Sequence, residues 1–160
     1  MPGLLELSAT LDGDGPAVTF PDGRRPRAGA ALDEALAAYV GRVVQLAEER
    51  EIPHHDAAPV HPVTDASCRE VGAEPAAFRA NVVIDTHGAD GLVEDTWVDA
   101  VLRVGSAGVR LRVTGTTERC VMIGSETLRA VADRNDLQLG IYAEVLEPGL
   151  VREGDEVRLT

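Results

Sequence analysis

From Val109 to Val113 the chain reads Val-Arg-Leu-Arg-Val, with apolar and charged side chains alternating at every step. Successive side chains of an extended strand point to opposite faces, so this stretch predicts a β-strand with one face in a core and the other in water. Similar segments fill the second half of the chain. Asn81-Val82-Val83-Ile84 predicts a buried strand, and Val98 to Val104 another, joined to Val109–Val113 by the turn Gly105-Ser106-Ala107-Gly108. Arg119 to Ile123 predicts a further strand that carries Cys120. Gly140-Ile141-Tyr142-Ala143-Glu144-Val145 and Val157-Arg158-Leu159 close the set.

The first half is mixed. Leu4 to Leu7 and Ala17-Val18-Thr19-Phe20 are apolar stretches, and Pro21-Asp22-Gly23 is a turn signal. Leu32, Leu36, Tyr39 and Val40 share one helical face that Gly41 can end. Val43-Val44-Gln45-Leu46 reads as a strand, and the Pro- and His-rich run from Ile52 to Pro62 as a loop. Thr64 or Asp65 caps a short helix through Val71, and Ser125 caps one in which Leu128 and Val131 face inward. Many short strands with few helices predict a mainly β fold, a closed or nearly closed β-barrel. The chain has 160 residues, without repeat or linker, so residues 1–160 are expected to form one domain.

Composition narrows the function. Two Phe, two Tyr and one Trp leave the core to Val, Leu, Ile and Ala. A net charge of −12 argues against nucleic acid, which needs a basic field and aromatic stacking platforms, and against anionic membrane surfaces. No run approaches the ~20 apolar residues of a membrane span, and Met1-Pro2-Gly3-Leu4-Leu5-Glu6 lacks the features of a signal peptide. Cys68 and Cys120 make no disulfide framework, so a cytoplasmic protein with free thiols is the expectation. All 15 basic residues are Arg. Without Lys, neither a pyridoxal-phosphate Schiff base nor a Walker-type phosphate loop can be built.

Cys120, in Glu118-Arg119-Cys120-Val121-Met122, is the leading candidate for chemistry. A cysteine reacts as its thiolate, which a nearby guanidinium stabilises. Arg119 adjoins it, although neighbours on a strand face opposite ways. The bland alternative is a packed structural cysteine beside Val121 and Met122. Cys68 fits core packing on its helix; a Cys68–Cys120 redox pair would need the Cα atoms within about 7 Å. His54-His55-Asp56 with His61 offers metal-ligand chemistry without a strong spacing, so a solvated loop is the better reading. His87, before Gly88, fits a turn. The acids from Asp90 to Asp99 and from Glu144 to Glu156 show no spacing that singles out an acid–base pair.

Five segments in order carry a family resemblance: Phe78-Arg79-Ala80-Asn81-Val82-Val83-Ile84-Asp85, Glu94-Asp95-Thr96-Trp97, Arg119-Cys120-Val121-Met122, Leu139-Gly140-Ile141-Tyr142-Ala143-Glu144-Val145, and Pro148-Gly149 through Gly154-Asp155-Glu156-Val157. Ala57-Ala58-Pro59-Val60-His61 leading into Thr64-Asp65-Ala66-Ser67 adds to them. Over roughly residues 17 to 159 the chain resembles the MOSC domain, the module at the C-terminal end of molybdenum-cofactor sulfurases and in amidoxime-reducing molybdenum enzymes. The resemblance implies a β-barrel whose cysteine, here Cys120, carries sulfur as a persulfide or ligates molybdenum. It places Arg79 and Asn81, with Thr64 and Ser67, as cofactor-binding residues; from their type alone Arg79 reads as a surface ion pair and Asn81 as a strand-start or turn residue. The family's Pro between Arg and Asn is Ala80 here, Thr116-Thr117-Glu118 stands where prolines precede the cysteine, and the usual cofactor-site Lys is absent.

The expected function is sulfur handling through Cys120, with Arg119 beside it. The sulfur would come from a separate donor protein or small molecule, because a chain without Lys cannot desulfurate cysteine with pyridoxal phosphate. The enzyme alternative is molybdenum-cofactor (molybdopterin) dependent reduction of an N-hydroxylated or oxidised small molecule, with Cys120 as metal ligand. The third reading is a non-catalytic binding module. Residues 1–50 correspond to a remnant of the family's N-terminal β region, which a homodimer or a partner chain would complete.

Overall fold

The computed structural model describes residues 3–48, 50 and 57–160. Contacts gather into two compact units, Met1–His54 and His55–Thr160. In the first, strands β1 (Ser8–Asp12) and β2 (Gly15–Thr19) form an antiparallel hairpin, followed by helix α1 (Ala30–Val40). The expected helical face is the one that packs: Leu32 and Leu36 join Val18 and Phe20, and Tyr39 meets Phe20 edge-on with ring centroids 5.4 Å apart. Val43-Val44-Gln45-Leu46 does not form the expected strand. A strand needs a partner ladder; instead Leu46 N–H donates to the Asp33 carboxylate, Val44 packs on the helix core and Val43 lies open to water.

The second unit opens with strand β3 (Pro62–Thr64), helix α2 (Asp65–Glu70) and strand β4 (Val82–Ile84), which pairs parallel to β3. Thr64 caps α2 by accepting the Ser67 backbone N–H, as its sequence predicts. Strand β5 (Val101–Val104) turns through Gly105–Gly108 into β6 (Val109–Glu118). After helix α3 (Ser125–Asn135), strand β7 (Gln138–Glu147) lies antiparallel to β6, and β8 (Val157–Leu159) pairs with β5, giving the sheet order β7-β6-β5-β8. The alternation at Val109–Val113 holds. Val109, Leu111 and Val113 are buried with Leu102, Val104, Ile141 and Ala143, while Arg112 faces out. Gly124, not Ser125, precedes α3, and Val131 is its fully buried residue.

Eight strands against three α-helices make the described chain mainly β, as expected. The sheets do not close into a barrel among the described residues. A bridge between Val60 and Ala143 links the β3 segment to β7, but β4 and β8 each have a single strand neighbour. Both are three residues long, too short to carry the ladder round to a second partner. The strand expected from Arg119 to Ile123 is also absent. β6 ends at Glu118, and a single 3₁₀ turn, Val121–Ile123, follows with Cys120 at its N-terminal end. Its lone Ile123 N–H to Cys120 C=O and Gly124 N–H to Val121 C=O bonds close the turn locally, leaving no ladder to a neighbouring strand.

Candidate functional site

Although β6 stops short, its alternation sets the direction of the next residue. Val109, Leu111, Val113, Thr117 and Arg119 are all buried, every one on the inward parity. Arg119 therefore turns inward and Cys120 outward. Burial of a guanidinium requires partners for its N–H groups. Arg119 Nε donates to the Leu139 carbonyl at 2.8 Å, Nη1 to the Phe78 carbonyl at 3.4 Å, and Nη2 lies 2.6 Å from His61 Nε2. The guanidinium also stacks over the Phe78 ring, 5.1 Å from its centroid.

The pair formed by Arg119 and His61 consists of a cation and a neutral ring. Burial, then the Arg119 charge, pull the imidazole down to about 4, so Nε2 acts as the acceptor. Burial pulls Arg119 itself down to about 10, opposed by Tyr142, Cys68, Cys120 and, least, Glu94. His61 is held from several sides. Its backbone N–H donates to Asn81 Oδ1 at 2.7 Å, its carbonyl accepts Asn81 N–H, and its ring lies 6.0 Å from that of Tyr142. Gly140 makes room for the pair. Its φ is +81°, and a Cβ there would sit 2.8 Å from Val63 Cγ1 and 3.0 Å from both Arg119 Nη2 and His61 Nε2.

Thr64 and Ser67, which the resemblance assigns to cofactor binding, are placed otherwise. Both are fully buried, and both hydroxyls reach the carboxylate of Glu94, itself completely buried: Thr64 Oγ1 at 2.6 Å and Ser67 Oγ at 2.5 Å from Oε2. Thr64 N–H donates to Oε1 at 3.3 Å. These hydroxyls satisfy a buried carboxylate and tie α2 to the 3₁₀ turn Val93–Trp97, which leaves them no open side for a ligand. Cys68, next along α2, packs among Val63, Phe78, Val131 and Leu139, the core role its sequence setting predicts. Burial, and then the Glu94 charge, push its thiol up to about 11.

Cys120 is exposed, and so are Val121 and Met122 after it. The packed alternative for this cysteine does not hold. Arg79 is exposed, takes a left-handed backbone (φ +54°), and forms no ion pair among the described residues. The structure thus brings Arg79, Asn81, Arg119 and, through Arg119, Cys120 into one region around His61, and sets Thr64 and Ser67 in the wall behind it. His54, His55 and Asp56 lie outside the described residues. Among those described, no group of three or more His, Cys, Asp or Glu could hold a metal ion. His61 is engaged with Arg119, and His87 occupies its expected turn with φ +52°.

From the sequence His61 figures only as a weak metal-ligand candidate, and Glu94 and Gly140 only as members of the family segments, with no role of their own. A glycine within a β-rich run marks a close approach and was the available signal for Gly140. Glu94 is indistinguishable in sequence from its acidic neighbours, and nothing local shows that His61 would pair with Arg119.

As a cradle for a molybdopterin this set is incomplete. It supplies one free thiol and one free guanidinium, while Asn81 Oδ1, Thr64 and Ser67 are already engaged. The donors present therefore do not fit an enclosed pterin on their own.

The described helices include none long and apolar enough to cross a membrane. No curated protein matches the chain. Among solved structures it is similar to the YUAD protein from Bacillus subtilis, at 19% identity over 62% of each chain with a TM-score of 0.46, a likeness too slight to carry an argument. The family model described as the MOSC domain matches residues 41–158, starting later than the 17 expected from the motifs and spanning well over half of the sequence. The chain belongs to the MOSC domain family.

Proposed function

We propose that this chain handles sulfur at Cys120. The thiolate attacks the terminal sulfur of a donor persulfide, the new S–S bond forms on Cys120 Sγ, and the donor leaves as its thiolate. Cys120 then carries the persulfide to a cofactor or small-molecule acceptor. The observation that carries this reading is the contrast between the two thiols. Cys120 is exposed at the start of a turn, one residue after the inward-facing Arg119, whereas Cys68 is sealed in the core and held in its thiol form. The donor is a separate protein or small molecule, since the sequence holds no Lys for pyridoxal phosphate. Free thiols suit a reducing compartment such as the cytoplasm.

Incubation with a persulfide donor followed by intact mass measurement tests the proposal. One added sulfur atom on the wild-type chain and none on Cys120→Ser is the expected result. Sulfur retained on Cys120→Ser sinks it. The molybdenum reading, with Cys120 as metal ligand and Arg79 and Asn81 on the cofactor, has less support because Asn81 Oδ1 is already bonded to His61 N–H. A native mass spectrum of protein from a host that makes molybdenum cofactor would reveal a molybdopterin adduct under that reading. Inertness of Cys120 towards a mild thiol reagent would instead favour a binding module without chemistry.

A further inference from the structure

Strands β4 and β8, each left with one open edge, border the same cavity. It measures about 270 Å³, and Trp97, Ile84, Leu102, Val157 and Leu159 form its apolar wall. Asp85 and His87 also line it. On β8 the backbone groups that face β5 belong to Glu156 and Thr160: Gly105 N–H donates to the Glu156 carbonyl at 2.9 Å, and Val101 and Thr160 bond in both directions. Alternation along the strand therefore turns the N–H and C=O groups of Val157 and Leu159 to the open edge. On β4 the Asn81 N–H donates to the His61 carbonyl at 3.0 Å, which by the same alternation turns those of Ile84 away from β3. Among the described residues these three carbonyls have no hydrogen-bond partner.

Asp85 is the only acid on the cavity wall, and no Arg lines it. The Asp85 Oδ1 accepts the His87 backbone N–H at 2.7 Å, and Oδ2 has no hydrogen-bond partner among the described residues. The nearby guanidinium groups are engaged elsewhere. Arg158 lies on the opposite face of β8 from Val157 and Leu159 and pairs with Glu156 at 2.7 Å. Arg69 donates to the Ala89 carbonyl and pairs with Asp65. An anion in the cavity would meet Asp85 and a net charge of −12 with no guanidinium to receive it. An ammonium has three N–H donors, which suit a carboxylate and edge carbonyls, and the indole of Trp97 attracts cations.

We infer that this cavity binds a small primary amine that carries one ring or a branched chain of similar size. The ammonium sits at Asp85 and the edge carbonyls, and the apolar part lies against Trp97. An apolar cavity of about 150 Å³ holds one benzene molecule, so this one has room for a ring and a short chain. The inference is independent of the sulfur-handling reading, because neither Cys120 nor the Arg119–His61 pair lines the cavity.

The test uses the full chain and three ligands of similar size: phenethylamine, the neutral 2-phenylethanol and the anionic phenylacetate. Trp97 is the only Trp, so its fluorescence reports on the cavity directly. The expected result is a saturable change with phenethylamine, bound at least about fivefold more tightly than 2-phenylethanol, the effect of one ion pair at ~4 Å in water. Phenylacetate should bind most weakly. Asp85→Asn keeps an oxygen for the His87 N–H and should remove the advantage of the amine while leaving the alcohol unaffected. Ala89→Leu adds bulk to the wall and should weaken amine and alcohol together. Absence of saturation with phenethylamine, equal affinity for amine and alcohol in wild type, or an advantage that survives Asp85→Asn overturns the inference. Amine binding that Ala89→Leu leaves unchanged overturns it too, because the ligand would then sit outside the cavity.

Discussion

Gly140→Ala is the substitution that most directly probes how the Arg119–His61 pair is seated. Two costs combine. An alanine at φ +81° occupies a left-handed conformation, about 1–2 kcal/mol above its preferred one. Its Cβ would also stand 2.8 Å from Val63 Cγ1 and 3.0 Å from Arg119 Nη2 and His61 Nε2. None of the three has an easy escape, since Val63 is fully buried in β3 and the other two atoms face each other at 2.6 Å. Overpacking of this kind costs about 1–3 kcal/mol, so the total is about 2–5 kcal/mol. Gly108→Ala is the matched control: its φ is +77°, but nothing lies within 4 Å of the added Cβ, so it carries the backbone cost alone. Urea denaturation of the two variants beside wild type, at constant m-value, reads the difference. Gly140→Ala should be the less stable by about 1–3 kcal/mol, and trimming Val63 to Ala in the same chain should recover part of that excess. Equal destabilisation in the two variants would mean that Val63, Arg119 and His61 do not crowd Gly140 as described.

Glu94→Ala should cost about 3 kcal/mol in the same assay, because it strands the buried hydroxyls of Thr64 and Ser67; a loss below about 1 kcal/mol would contradict the network. Leu139→Ala, at a fully buried site, should cost about 2–5 kcal/mol. In native protein iodoacetamide should modify Cys120 and spare Cys68, with both modified in urea; two labels under native conditions would contradict the sealed position of Cys68. The imidazole of His61 titrates near 4 when folded, below its ordinary 6.5, so between these values the unfolded chain takes up a proton that the folded chain refuses. Stability must then fall as pH drops from 6.5 towards 4, by at most about 3.4 kcal/mol and nearer 1–2 once partial exposure is allowed for. His61→Gln should remove that part of the acid sensitivity, and identical pH profiles for variant and wild type would refute the cause.

Much of the frame could be read before any coordinates, because it depends on neighbours in the chain. Alternation at Val109–Val113 set not only a strand but the inward turn of Arg119 and the outward turn of Cys120. Thr64 ahead of α2 and Gly41 behind α1 ended helices where such residues usually do. What escaped depends on distant partners. Val43–Leu46 has the composition of a strand and no ladder to join. His61 gains its role from Asn81, Arg119 and Gly140, each supplied by a separate segment. Glu94 differs from Asp90 or Asp99 only because Thr64 and Ser67, some thirty residues earlier, fold over it. Cys120 could be found but its setting could not, since the turn at Val121–Ile123 is apolar enough to pass for a strand.

The strand order β7-β6-β5-β8 also sets a timetable for the nascent chain. β5 and β6 are joined by four residues and can zip together soon after they emerge. The other side of β5 must wait for β8, since Leu102 pairs with Leu159, 57 positions later. At about 5–20 residues per second, synthesis of that stretch takes roughly 3–11 seconds. Over that interval one side of β5 has no strand beside it, and the four-stranded sheet is complete only once β8 arrives.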